Sequence, residues 1–217
     1  LALTIFDLDN TLLRGDSDYL WGQFLVEQGV VEKHAYEREN QRYFQEYRQG
    51  TLDIIEFLNF QLRPLAQHEP TQLQEWRKQF LDEKIRPIIL PAALGLIQNH
   101  RNKGDTLVVI TATNRFITEP IVKTMNIENL IATEPEMRNG RYTGHVVGIP
   151  CFREGKVKRL DEWLKRTGMN LDSSSFYSDS HNDLPLLERV TRPVAVDPDE
   201  TLAQHAEIKG WPIISLR

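Results

Sequence analysis

Cysteine is nearly absent: Cys151 is the only one in 217 residues. No internal disulfide can therefore brace the chain, which fits a reducing compartment. With no ligand or nucleophile pattern around it, Cys151 reads as a small buried hydrophobe. Long apolar runs are missing too, none approaching the ~20 residues that cross a bilayer. The opening apolar segment lacks the basic start and cleavage region of a signal peptide. Nor is there an excess of positive charge, since 26 Lys and Arg stand against 31 Asp and Glu, net −5, with the signs interspersed. Nothing favours a phosphate-backbone partner. No histidine pair has zinc-ligand spacing, His181 reads as a loop residue, and there is no internal repeat or low-complexity linker. These absences leave a soluble, cytoplasmic chain without nucleic-acid or membrane partner. It is long enough for one large domain, or for a domain with an insert.

What is present begins at Leu3-Thr4-Ile5-Phe6-Asp7-Leu8-Asp9-Asn10-Thr11, an apolar strand running into two carboxylates and a hydroxyl. In an open α/β sheet, ligands bind outside the carboxyl ends of the strands. If the strand persists through Leu8, alternation points Asp7 and Asp9 the same way. Like charges that close call for a cation or a shared proton. The pair alone equally suits a turn or a helix cap. Three further segments shift that balance: the strand Val108-Val109-Ile110-Thr111-Ala112-Thr113-Asn114, the helix opening Gly155-Lys156-Val157, and the strand Phe176-Tyr177-Ser178-Asp179-Ser180-His181-Asn182-Asp183.

Between these segments, helical spacing (Leu20, Phe24, Leu25; Tyr43, Phe44, Tyr47; Ile54, Ile55, Leu58, Leu62; Trp76, Phe80, Leu81) predicts a helical block from about Asp16 to Lys84. Gly29, Gly50 and Arg63-Pro64 should divide it, and Glu69-Pro70-Thr71 should precede its last helix. From Pro91 onward, helices and strands alternate. Helices are expected at 92–102, from Thr118 with Pro120 in its first turn, and at 156–167. Strands are expected at 106–110, 130–132, 175–178, 194–196 and 212–216, with an Asn139-Gly140 hairpin turn. The pattern predicts an α/β fold, a mostly parallel Rossmann-like sheet with helices on both faces. Residues 1–15 and 86–217 would form its core, and 16–85 an all-helical cap inserted after the first strand.

Asp, Thr, Lys and Asp-x-x-x-Asp, in that order across nearly the whole chain, strongly resemble the four motifs of the haloacid dehalogenase-like (HAD) phosphohydrolases. The helical insert resembles their subfamily IB, the C1-capped branch that includes phosphoserine phosphatase. The resemblance implies that Asp7 is a nucleophile forming an aspartyl-phosphate, and that Asp9 protonates the leaving alcohol and later activates water. Asp9 needs a raised pKa for that task, and neighbouring Asp7 pushes in the right direction. It also implies Mg²⁺ held by the Asp7 carboxylate, the Asp9 main-chain carbonyl and the Asp179 carboxylate, with Asp183 supporting from behind. Thr111 and the Ala112 amide would meet the phosphate, Lys156 would supply fixed positive charge, and Asn182 would orient phosphate or substrate. Read singly, Thr111, Asp179 and Asp183 also suit caps or helix starts, Lys156 a solvated lysine, and Asn182 a turn.

The substrate turns on the cap. Where the phosphoserine enzymes hold the substrate amine with a glutamate nine residues after the nucleophile, this chain has Asp16. Where they grip the carboxylate with an arginine, it has Gln61, with Arg63 on a different side of the helix. An amine contact without a carboxylate contact points to a phosphorylated amino alcohol. Gly15-Asp16-Ser17-Asp18, Ile110-Thr111-Ala112-Thr113-Asn114 and Tyr177-Ser178-Asp179-Ser180 resemble the bacterial group to which histidinol-phosphate phosphatases belong. Asp16 or Asp18 would then meet a cationic nitrogen of L-histidinol phosphate and Trp21 would stack on its ring; a helix start and core packing are the plainer roles of these residues. A phosphoserine phosphatase, a phosphomutase, and a non-catalytic regulatory module on the same fold are the alternatives. Oligomeric state is not legible in the residues.

Overall fold

The computed structural model describes residues 2–217. One sheet has the spatial order β4-β3-β2-β1-β5-β6-β7. Its strands are β1 (Leu3–Phe6), β2 (Thr106–Asn114), β3 (Asn129–Arg138), β4 (Arg141–Val147), β5 (Ser175–Ser178), β6 (Arg192–Val196) and β7 (Ile213–Ile214). All neighbours pair parallel except β3 and β4, which form an antiparallel hairpin. Asn139 and Gly140 both take positive φ, 51° and 78°, in the turn of that hairpin. This is the conformation that an Asn-Gly pair reaches at least cost.

The helices are α1 (Ser17–Glu27), α2 (Lys33–Gln49), α3 (Ile54–Gln67), α4 (Pro70–Phe80), α5 (Pro91–Asn102), α6 (Arg115–Thr124), α7 (Glu154–Thr167), the single turn α8 (Leu184–Leu187) and α9 (Glu200–Lys209). Alternation along the strands divides the core. Phe6, Leu107 and Val109 face one apolar cluster, while Ile5, Val108 and Ile110 face the other. The chain leaves β1 into α1–α4 and returns through a bridge between Leu13 and Ile89, so the helical segment begins and ends at one place. The strand order reverses at β1, whose neighbours are β2 on one side and β5 on the other. A switch point of this kind opens a crevice at the carboxyl ends of the strands.

Several expectations need correction. β1 stops at Phe6, so Asp7 and Asp9 lie in the following turn and are not aligned by strand alternation. Arg63-Pro64 does not end a helix: α3 runs one turn further, because Pro64 and Leu65 are buried and packing outweighs the lost hydrogen bond. α6 starts at Arg115, capped by Asn114, which places Pro120 in its second turn. The Phe116 carbonyl that a residue 120 amide would have served is met by Arg77 Nη1 at 3.0 Å instead. β2 and β3 run past their expected ends, and β7 is shorter than 212–216.

Trp21 is likewise not a substrate platform. It is 1% exposed and packs in the core, its ring 5.6 Å from Phe24, 5.2 Å from Phe80 and 5.7 Å from Phe116. This aromatic cluster joins α1 and α4 to the apolar layer beneath the sheet. α3 adds Leu62 and Leu65 to the same layer, and with α2 it also builds a second small cluster of Tyr36, Tyr43 and Phe60 that Leu52 and Phe152 complete. Trp21→Ala should therefore cost about 3–5 kcal/mol of folding stability, as large aromatic truncations in cores do. Urea unfolding measures it, and a loss under about 1 kcal/mol would contradict the packing role.

Candidate active site

Asp7, Asp9, Thr111 and Ala112 line one cavity at the carboxyl edge of the sheet, together with Asp16, Asp18 and Gln61 from the helical segment. The room left in it for water is about 40 Å³, enough for a few small groups between closely packed walls. Six aromatic residues complete much of its wall: Tyr19, Tyr43, Phe44, Tyr47, Phe57 and Phe152. Among the described lining residues there is no Lys or Arg.

Behind this cavity lies a buried charge cluster. Lys156, 2% exposed, places Nζ 2.7 Å from Asp7 Oδ1 and 2.7 Å from Asp183 Oδ1. The Ser178 hydroxyl donates to Asp183 Oδ2 at 2.7 Å. Thr11 Oγ1 donates to Asp179 Oδ1 at 3.1 Å, lies 3.4 Å from Asp7 Oδ2, and accepts from the Asp179 amide at 3.1 Å. β1, the loop after β5 and the start of α7 thus deliver one ammonium and three carboxylates to one place. Burial raises the Asp7 carboxyl to about 7; Lys156 opposes the rise, and Asp183 and Asp9 add to it. Burial, then Asp7 and Asp183, hold Asp179 well above the carboxylate range. Burial alone would lower Lys156, but Asp183 and Asp7 outweigh it and hold the ammonium charged.

Asp9 is fixed separately. Its Oδ1 accepts from the Ser17 amide at the start of α1 at 2.7 Å, and its Oδ2 accepts from the Thr113 hydroxyl at 2.8 Å, with Thr111 Oγ1 at 3.5 Å. Burial, then the charge of Asp16, raise its carboxyl to about 6 against these hydrogen bonds. The push attributed to Asp7 thus comes from burial and Asp16. A carboxyl titrating there can give and take a proton near neutrality. Thr113 was not singled out in the sequence, although it follows Thr111 on the same side of β2 and could have been found by that spacing.

A model of the haloacid dehalogenase-like hydrolases matches residues 4–188. The chain belongs to that hydrolase family. It is a phosphatase of the family, with the α/β fold shared by phosphoserine phosphatase structures. It is 44% identical to a histidinol-phosphatase of Neisseria meningitidis serogroup C (strain 8013), over 99% of both chains. It also resembles the crystal structure of a protein with unknown function from Bordetella pertussis Tohama I, with a TM-score of 0.94 and 43% identity over 100% and 99% of the two chains. A substrate-bound phosphoserine phosphatase superposes with a TM-score of 0.73 at 18% identity, covering 100% of this chain and 93% of that one, a likeness of fold.

In this haloacid dehalogenase-like hydrolase the remaining sequence candidates divide. Asp16 caps α1 by accepting from the Tyr19 amide at 2.8 Å and also lines the cavity, so cap and site are not exclusive. Asp18 is buried and lines it too, its carboxyl raised first by burial and then by Asp16 and Asp9. Gln61 faces the cavity, whereas Arg63 is exposed and lines an outer groove between α2 and α3. Asn182 does not line the cavity. Its Nδ2 donates to the Tyr47 carbonyl at 3.1 Å and its Oδ1 accepts from Arg153 Nε at 3.0 Å, while Arg153 Nη2 reaches the Gly50 carbonyl. Asn182 and Arg153 together tie the end of α2 to the catalytic edge. His181 pairs with Asp199 through Nδ1 at 2.8 Å.

Gly155 decides where Lys156 sits. A Cβ there would lie 2.0 Å from the Pro150 carbonyl oxygen, a backbone atom that cannot swing aside. Gly155→Ala should therefore displace the first turn of α7 and lower turnover by at least about 100-fold, equivalent to about 2.7 kcal/mol of barrier. Steady-state rates of a variant shown to be folded by circular dichroism test this; near-normal turnover would refute it.

Proposed function

We propose that this phosphatase is a Mg²⁺-dependent phosphomonoesterase that works through an aspartyl-phosphate, and that its substrate is L-histidinol phosphate. The carrying observation is the union of the Lys156–Asp7–Asp183 cluster with an adjoining chamber that offers carboxylates and aromatic rings but no cation among its lining residues. A phosphate end is served by Lys156, and an amine-bearing, ring-bearing end by the chamber. A free substrate carboxylate would meet Asp16 and Asp18 without a bidentate partner. The name of the Neisseria relative, a histidinol-phosphatase, supports the same reading. On this reading the chain acts in histidine biosynthesis in the cytoplasm, with residues 16–85 as a cap over a core of 1–15 and 86–217.

In the proposed chemistry Asp7 attacks phosphorus while the bond to the leaving oxygen breaks, and Asp9 donates its proton to that oxygen. Asp9 then takes a proton from a water that attacks the same phosphorus, and the Asp7 carboxylate and inorganic phosphate are released. The Lys156 ammonium stays in place throughout, opposing the charge on Asp7 and the phosphate. The donors fit Mg²⁺. No three His, Cys, Asp or Glu side chains form a metal cluster among the described residues. The Asp7 and Asp179 carboxylates with the Asp9 main-chain carbonyl nevertheless make the kind of partial oxygen set that Mg²⁺ takes when water and phosphate complete its shell. With all three ionised, Asp7, Asp179 and Asp183 outweigh the Lys156 ammonium by two negative charges, the balance a divalent ion would restore. Mg²⁺ would supply charge neutralisation between nucleophile and phosphate dianion.

Asp7→Asn should lower turnover at least ~10³-fold, about 4 kcal/mol of barrier, in a nearly isosteric and folded variant. Near-normal turnover by an undeamidated preparation would reject Asp7 as the nucleophile. With Mg²⁺ present, kcat/KM should be higher for L-histidinol phosphate than for L-phosphoserine, and excess chelator should abolish both. A preference for phosphoserine would overturn the substrate, and full activity in chelator would overturn the metal.

A further inference from the structure

Four buried side-chain atoms of the helical segment have no hydrogen-bond partner: Asp18 Oδ1, Gln61 Oε1, Ser17 Oγ and Tyr36 Oη. Buried polar atoms are nearly always paired, because leaving one without a partner costs free energy. Two of the four, on Asp18 and Gln61, belong to residues that line the catalytic cavity. These two residues also touch each other. Gln61 Nε2 donates to the Asp18 main-chain carbonyl at 3.4 Å. A carbonyl only accepts, so this contact commits the amide nitrogen and leaves the amide oxygen free. Phe57 lies one helical turn before Gln61 on the same face of α3 and lines the same cavity.

The free atoms are both oxygens, one of a carboxyl and one of an amide, so a group that satisfies them presents hydrogen-bond donors, N–H among them. The aromatic wall favours a flat group. Asp16 is the leading charged neighbour of Asp9; Asp18 also has Asp16 and Asp9 as charged neighbours, and Gln61 is held against it. We infer that Asp18 and Gln61 form an acceptor pair for the N–H edge of a planar nitrogen heterocycle of the substrate. Gln61 is then a specificity-determining residue, where the sequence suggested only a lost carboxylate clamp. Asp16 is left to the amine beside the phosphate-bearing carbon. The inference rests on the proposed substrate, whose imidazole is such a heterocycle.

The test compares kcat/KM for L-histidinol phosphate with that for O-phosphoethanolamine, which keeps the amine and lacks the ring. In Asp18→Ala and Gln61→Leu this ratio should fall at least about tenfold from its wild-type value, and Gln61→Glu, which keeps an acceptor oxygen, should recover part of it. A fall of both substrates in parallel, or no change in the ratio, would overturn the acceptor pair while leaving histidinol phosphate as the substrate. A second measurement uses 4-methylimidazole as a competitive inhibitor of phenyl phosphate hydrolysis. Inhibition of the wild type that is weakened in Gln61→Leu supports the pair even if histidinol phosphate proves a poor substrate. Equal inhibition of the two, or none of the wild type, counts against it.

Discussion

Lys156 carries a single positive charge into a place where Asp7, Asp179 and Asp183 converge, and the rest of the catalytic edge is arranged around that fact. Its stem is buried and its ammonium meets two carboxylates at 2.7 Å each. Removing such a charge from water is costly unless partners surround it. The ion pairs therefore hold together three pieces of chain that are far apart in sequence: the end of β1, the loop after β5 and the first turn of α7. The close approach of Gly155 to the Pro150 carbonyl sets the height of that turn, and Ser178 holds the far side of Asp183. A cluster built in this way is expensive as pure scaffold, which is the usual mark of a site retained for chemistry.

The two reacting-end carboxylates are kept in different surroundings. Asp7 shares the Lys156 cluster, while Asp9 is held by the first amide of α1 and by hydroxyls of β2. Burial raises both, but Asp9 has Asp16 as its charged neighbour and Asp7 has Lys156. Separate environments for a pair of nearby acids are what allow one to act as nucleophile and the other to exchange protons.

The convergent polar residues were more legible than the walls. Asp7, Asp9, Thr111, Lys156, Asp179 and Asp183 stand in short segments whose strand-then-polar pattern is visible in the sequence, and the βα alternation gave the sheet. Local signals misled where tertiary packing overrode them. Pro64 stays inside a helix because its neighbours are buried, and Pro120 is tolerated because Arg77 serves the freed carbonyl. Trp21 resembled a stacking surface in a run of acidic residues, yet helical periodicity cannot say which aromatic faces a core and which a cavity. Tyr43, Phe44 and Tyr47 show the converse, since their helical spacing predicted only a helix and they line the chamber. Thr113 and the unpaired oxygens of Asp18 and Gln61 depend on contacts between distant segments, which no single-segment pattern contains.

The apolar packing of the helical segment has a mechanical meaning. α1 joins the layer under the sheet through Trp21 and Phe24, and α3 enters the same layer through Leu62 and Leu65 while sharing a second cluster with α2, whose end is tied down by Arg153 and Asn182. Asp18 and Gln61 therefore stand on helices that one apolar layer already holds in register. A ligand gripped by both would meet a preformed pair and spend little of its binding energy on ordering them.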